Sequence, residues 1–345
     1  MGKVTVRVSR IAMTHLIGFP VRWAAVSIAR DDVTRHVARA ALAVAGMLSL
    51  IWQPPIQVNA HEAGVGAINE CALSARSTPR AVVRVVDGAT LLLDDGTRVR
   101  LIGAMAPNVL DAQAATPRRE EGEGSGVPGD DMVWPPVDAA RRALSDLIAG
   151  QAVVMATAGR ASDRYGNLLA HVFVQQPGSG RLWVQGAMLT SGHARAYGMP
   201  DNYACMDALL AAEAPARSAR TGLWSNSAYA IRHAWRTQEL MVLRGTFQLV
   251  EGRVVKAQRV KSGWIYLNFG KDWRSDFSVA VAPGVSRSHA AWAAGLLDLE
   301  GAEVRVRGFI DRRNGPLITI EHPSQIEVLA DRGATGKSAD GPASP

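Results

Sequence analysis

Apolar and polar positions alternate from Ala81, and the run to Leu93 reads as strand. Asp94-Asp95-Gly96 is a hairpin signal, with Thr97 to Ile102 as the return strand. The pattern fails over 109–133. There Thr116-Pro117-Arg118-Arg119 leads into Glu120, Glu121 and Glu123, then a Gly/Ser/Pro stretch ending at Asp130-Asp131. Such a composition buries no core and predicts a long mobile loop. Helical spacing begins at Pro135-Pro136 and stops at Gly150, with Val137, Ala140, Leu144, Leu147 and Ile148 as its apolar stripe. Strands are expected at Ala152–Thr157 and Leu168–Val174, and a short helix at Val184–Ser191. A longer helix is expected from Asn202 to Ala219, kinked or broken at Pro215, where proline removes a backbone donor.

A linker over 226–240 separates this half from a second unit at 241–330. Strand patterns there cover Thr246–Gln258, Trp264–Phe269, Phe277–Val281, Glu303–Asp311 and Leu317–Glu321. A short helical run, Arg287–Ala294, precedes the fourth, and Asn314-Gly315 is a hairpin turn signal. Five short strands with one interposed helix read as a small OB-like β-barrel. The overall fold class is mainly β with helices (α+β). Residues 61–79 read as a flexible linker and 331–345 as a disordered tail.

Charge changes the picture mainly by where it lies. The formal net charge is +7, yet residues 1–60 hold seven basic residues against Asp31 and Asp32 alone. Beyond the leader the balance is close to neutral, so gross charge makes no case for phosphate binding, which needs clustered cations. Arg35 and Arg39 precede an apolar run, Ala40–Trp52, followed by Pro54-Pro55 and Val58-Asn59-Ala60. This is the plan of a secretory signal cleaved after Ala60. Left uncleaved, the run is a membrane anchor, and a buried helix is a third reading. Export places the mature chain in the periplasm or outside the cell. Cys71 and Cys205 are the two cysteines, and an even count beyond an export signal permits one disulfide. Two unrelated thiols are the other reading.

The stretch Val85–Asn108, VVDGATLLLDDGTRVRLIGAMAPN, resembles the opening strands of a thermonuclease (staphylococcal-nuclease-like) domain. Asp163-Arg164-Tyr165-Gly166-Asn167-Leu168-Leu169-Ala170 is similar to the family's second signature, D-R-Y-G-R-x-L-A. Ala211-Ala212-Glu213 and Gly222-Leu223-Trp224 resemble its final helix and stop. The likeness covers 80–225 and implies a five-stranded OB barrel with packed helices, the loop 109–133 bordering its groove. It also implies a calcium-dependent phosphodiesterase, in which carboxylates hold the ion, a glutamate activates water and two arginines clamp the phosphoryl oxygens.

The matching positions depart from that chemistry. Ala89 and Met105 stand where the metal-binding carboxylates belong and offer no side-chain oxygen, whereas calcium requires several. Asn108 stands at the general base and takes no proton near neutral pH. Arg100 matches the first arginine, but Asn167 replaces the second. No cofactor is expected, with calcium bound only if the family mechanism survives. Turn and strand geometry alone accounts for Asp87 and Thr90, and a plain surface pair for Arg98 and Arg100. In the second unit Trp264, Tyr266, Lys271, Trp273 and Arg274 interleave aromatic with basic character and form a candidate binding surface. The plainer reading of those rings is a small core and its rim.

The sequence thus points to an exported, catalytically inactive thermonuclease-like protein that binds single-stranded nucleic acid or an envelope protein. The alternatives are an active or altered metal-dependent nuclease hydrolysing DNA or RNA, and a structural or assembly protein of the envelope. No small-molecule substrate is implied.

Overall fold

The computed structural model describes residue 73 and residues 77–111, 134–175 and 180–329. The leader, most of the 61–79 segment with Cys71, the 112–133 part of the long loop, and the tail lie outside the described residues. In chain order the first half runs β1 (Arg80–Asp87), β2 (Thr90–Leu93), β3 (Arg98–Leu101), β4 (Gly103–Met105) and α1 (Pro135–Ile148). It continues with β5 (Ala152–Ala156), β6 (Leu168–Gln175), β7 (Arg181–Trp183), α2 (Val184–Thr190), β8 (Arg195–Tyr197) and α3 (Met206–Ala219).

Antiparallel pairing of β1 with β2 and β2 with β3 makes a meander. Then β3 pairs parallel with β6, β6 antiparallel with β5, and β5 antiparallel with β1, which closes a five-stranded barrel. Alternation along β3 explains its facing: Val99 and Leu101 are buried while Arg98 and Arg100 are exposed. Leu91, Leu144, Val153, Val172, Trp183 and Leu189 fill the interior between barrel and helices. The run Ala81–Leu93 is not one strand. Asp87-Gly88 turns the chain, and a Cβ on Gly88 would lie 2.8 Å from the Cβ atoms of both Ala106 and Ala140. Glycine therefore lets this turn sit against α1 and the groove segment. The longer helix begins at Met206 and continues through Pro215 to Ala219, so proline does not break it.

The second half runs β9 (Arg232–His233), α4 (Thr237–Val242), β10 (Phe247–Arg253), β11 (Lys256–Arg259), β12 (Ile265–Asn268) and β13 (Ser278–Val281). After it come α5 (Pro283–Ser288), α6 (Ala290–Gly295), β14 (Glu303–Arg313), β15 (Gly315–Ile320) and β16 (Ile326–Val328). β10 and β11 act as one bent first strand. At the bend Val254 N–H donates to the Ala302 carbonyl, and Val255 N–H donates to that of Asn268. The strand thus passes from β14 as neighbour to β12, which is why the expected single strand divides. Pairings β11–β12, β12–β13, parallel β13–β15, β15–β14 and β14–β10 repeat the order of the first barrel. Two OB-type barrels thus follow one another.

The segment 226–240 is packed structure rather than a loose linker. Ala228, Tyr229, Ala234 and Leu240 are buried, and β9 pairs parallel with β10. A further apolar cluster joins Ala216, Trp224 and Tyr229 to Phe247 and Leu249 of the second barrel. Buried charge crosses the same boundary. Glu213 of α3 is 0 % exposed and Arg307 of β14 is 1 % exposed. Two guanidinium nitrogens of Arg307 each donate to a Glu213 oxygen at 3.1 Å. Arg307 also donates to the Ala196 carbonyl at 3.0 Å and to Glu327 at 2.5 Å. Burial works against the Arg307 charge, but Glu213 and Glu327 outweigh it and hold its pKa above the ordinary value.

Candidate functional site

The turn after β1, strand β3 and the segment after β4 converge on a cavity of about 430 Å³ whose wall includes Asp87, Ala89, Arg100, Met105 and Asn108. Four of the five catalytic-position residues therefore share one site. The opposite wall comes partly from the second barrel, through Phe247 and Phe309, with Tyr197 between them. These three rings meet edge to face at centroid separations of 5.3, 6.0 and 5.5 Å.

Three of the four vacated positions, Met105, Asn108 and Asn167, make side-chain hydrogen bonds of their own. Asn108 caps a helical turn that begins at Val109: its Oδ1 accepts from Leu110 N–H at 2.8 Å. Asp111 closes the box by accepting from Asn108 N–H at 3.1 Å. The Met105 sulfur accepts from Arg195 Nη2 at 3.7 Å. Asn167 does not line the cavity. Its Nδ2 donates to Asp163 at 2.8 Å, and its N–H and that of Tyr165 each donate to the same carboxylate at 2.9 Å. Burial works to raise the Asp163 pKa, but those bonds and the nearby Arg100 charge hold it below the ordinary value. Asp87 accepts from Ala89 N–H at 2.8 Å, tying the turn. Arg100 is exposed on the cavity wall and makes no ion pair or side-chain hydrogen bond among the described residues.

Behind the cavity lies a buried node. Arg195 is 2 % exposed and donates to Asp111 at 3.3 Å and to the Phe247 carbonyl at 2.7 Å. Its guanidinium carbon lies 4.8 Å from the Tyr229 ring centroid and 5.3 Å from that of Phe247. Tyr229 donates to Asp111 at 3.1 Å, and burial together with the Asp111 charge pushes the phenol pKa up. Sequence reasoning missed Arg195, Asp111, Tyr197, Phe247 and Phe309. The spacing Asn108-x-x-Asp111 was the one available signal, a capping-box pattern.

The donor set does not suit calcium. The ion takes about six to eight hard oxygens from carboxylates, carbonyls and water. Here Ala89 and Met105 supply no oxygen, and Asp111 is engaged by Arg195, Tyr229 and Asn108. Among the described residues on the cavity wall Asp87 is the one other carboxylate, and a buried guanidinium stands beside Met105. Among the described residues no group of three or more His, Cys, Asp or Glu is arranged to hold a metal. The arrangement offers a cation and aromatic rings to an anionic ligand, with no general base in the position where the mechanism requires one.

Of the rings expected to form a binding surface on the second barrel, Trp264 and Tyr266 are half-buried and Trp273 is 49 % exposed, while the neighbouring Phe269 and Phe277 belong to the core. Arg305 and Arg307 of β14 are neutralised by Glu251, Glu213 and Glu327. Cys205 is disulfide-bonded, and Cys71, the other half of the expected pairing, lies outside the described residues.

A closed five-stranded barrel, a helix between its third and fourth strands, and a groove at the β1 turn and β3 define a nuclease-type OB domain. Residues 98–226 match the family described as staphylococcal nuclease homologue. No curated protein matches the chain.

Proposed function

We propose that the protein is an exported, non-catalytic relative of the thermonucleases that binds nucleic acid without cleaving it. The observation carrying this reading is Asn108. The residue at the base position is an amide whose oxygen is already engaged by Leu110 N–H. A positioned general base contributes about 10²–10⁴ in rate, and an amide at that position cannot supply it. Arg100, exposed on the cavity wall and without an ion pair among the described residues, remains attractive to phosphate. The export reading draws on the leader and on the disulfide at Cys205, since such bonds persist in oxidising compartments.

The test is incubation with single-stranded DNA and calcium, alongside calorimetric titration of calcium and salt-dependent filter binding. No cleavage, no calcium heat, and an affinity that falls with salt and with Arg100→Ala are expected. Calcium-dependent cleavage lost on Arg100→Ala would overturn the proposal. Absence of binding at low salt would remove nucleic acid as the ligand and point to an envelope partner.

A further inference from the structure

The second barrel carries its own cavity, about 330 Å³, with Gln258, Tyr266, Asn268, Trp273, Arg313 and Asn314 on its wall. OB barrels take oligonucleotides on the face of their second and third strands, between the loops that follow strands one and four. Those elements here are β12, β13, the end of β11 and the β14–β15 hairpin, so the cavity occupies that face. Alternation sets the orientation. Ile265 and Leu267 enter the core, which turns Trp264 and Tyr266 outward.

Aromatic rings and cations are interleaved there. Trp264 and Tyr266 stack at 6.3 Å and 20°. The Arg313 guanidinium lies 5.6 Å from the Trp264 centroid and donates to Tyr266 Oη at 3.2 Å. The Arg274 guanidinium lies 4.5 Å from the Trp273 centroid. Neither arginine makes an ion pair among the described residues. The nearby carboxylates are engaged in shaping their own loop: Asp272 accepts from Arg274 N–H and Ser275 Oγ, and Asp276 from Asp272 N–H. The hairpin places Arg313 beside Asn314, whose φ of +67° sets the tight turn.

We propose that this face is a stacking site for single-stranded nucleic acid, separate from the groove of the first barrel. Tyr266 and Trp273 take the faces of unpaired bases, Arg313 and Arg274 take phosphates, and the amides of Gln258 and Asn314 accept any base edge. A duplex, with its bases already stacked, presents no such faces. The inference rests on the reading that the protein binds nucleic acid, and it assigns a different surface for doing so.

The test is fluorescence anisotropy of an oligodeoxythymidylate of about 16 nucleotides with the full chain at low salt, each variant first checked by its melting curve. Trp273→Ala and Tyr266→Ala should each weaken binding about 5- to 100-fold, the range of base–aromatic stacking, while Tyr266→Phe should leave it close to unchanged. Arg313→Gln should lower the salt slope by about one unit. Equal competition by duplex or by inorganic polyphosphate would overturn the stacking site, because those bind through charge alone. Loss of binding on Arg100→Ala with the ring variants unaffected would also overturn it, leaving the groove as the site. Loss on ring removal with Arg100→Ala unaffected supports it and moves binding away from the groove. No binding by the parent chain would overturn both.

Discussion

Replacing Glu213 by glutamine tests whether buried charge holds the second barrel on the first. The carboxylate is 0 % exposed and accepts from Ala196 N–H at 2.6 Å and from two Arg307 nitrogens at 3.1 Å, with Arg217 as a fourth donor. Glutamine keeps the shape and one acceptor oxygen but leaves Arg307 buried without its fully buried, two-point counter-charge. Breaking one side of a buried pair costs about 3–5 kcal/mol. Glu327 stays within 2.5 Å of Arg307 and 3.6 Å of Arg217, so partial compensation places the cost near the lower end, about 3 kcal/mol. At about 2–4 °C per kcal/mol for a unit of this size, Tm should fall by about 6–12 °C. Thermal unfolding at neutral pH reads this directly. Glu213→Leu combined with Arg307→Met should be less destabilising than the sum of the single changes, with a coupling of about 0.5–3 kcal/mol. A shift below about 2 °C, or strict additivity, would refute the reasoning, because no buried pair of this geometry is silent.

Acid should weaken the fold through His171. Burial holds its pKa at about 4 against 6.5 unfolded, its Nδ1 accepting from Trp183 Nε1. Below pH 6.5 the unfolded chain takes up the proton and the folded chain does not, so about 3 kcal/mol of stability is lost on descending to pH 4, where the loss levels off. Urea titrations across that window should show the decline in the parent and a flatter profile in His171→Gln; an equal decline in both would refute the assignment. Asn108→Ala should cost about 1 kcal/mol through loss of the cap, read as a lower urea midpoint with unchanged m-value. Cys205→Ser should cost about 2–4 kcal/mol, and reductant should lower the Tm of the parent but not of the variant.

The strands of both barrels were legible because each buries one face, so alternation around Val99 and Ile265 survives in the sequence. Their divisions were not. Asp87-Gly88 turns because Gly88 packs on Ala106 and Ala140, contacts distant in sequence or invisible to local pattern. Pro215 reads locally as a breaker, yet the helix around it carries Leu209, Glu213 and Ala216 into buried contacts that override propensity. The vacant catalytic positions were readable one by one. Their new partners were not, since Arg195 lies 90 positions from Met105 and reaches it only through the β4–β8 pairing. Isolated buried arginines such as Arg195 and Arg307 carry no periodic signature. Each is defined by the carboxylate that the fold brings to it.

That the vacated positions have taken on attachments changes what restoring them should do. Ala89→Asp, Met105→Asp, Asn108→Glu and Asn167→Arg together rebuild the family's side chains, but three of the four remove or perturb an existing bond. Glutamate is a poor replacement for the Asn108 cap, at about 1 kcal/mol. Arginine at 167 removes the side-chain bond that helps hold Asp163, about another 1 kcal/mol. A carboxylate at 105 would compete with Asp111 for the one buried Arg195 guanidinium. In chelator the quadruple variant should therefore melt about 4–8 °C below the parent. Calcium should raise its Tm with the logarithm of ligand concentration above the dissociation constant only where the ion binds the folded state, and should leave the parent unmoved. A quadruple variant that melts with the parent in chelator would show that Asn108 and Asn167 contribute nothing to the fold. The barrel would then be an indifferent scaffold around an empty site rather than one rebuilt around the residues that replaced the chemistry.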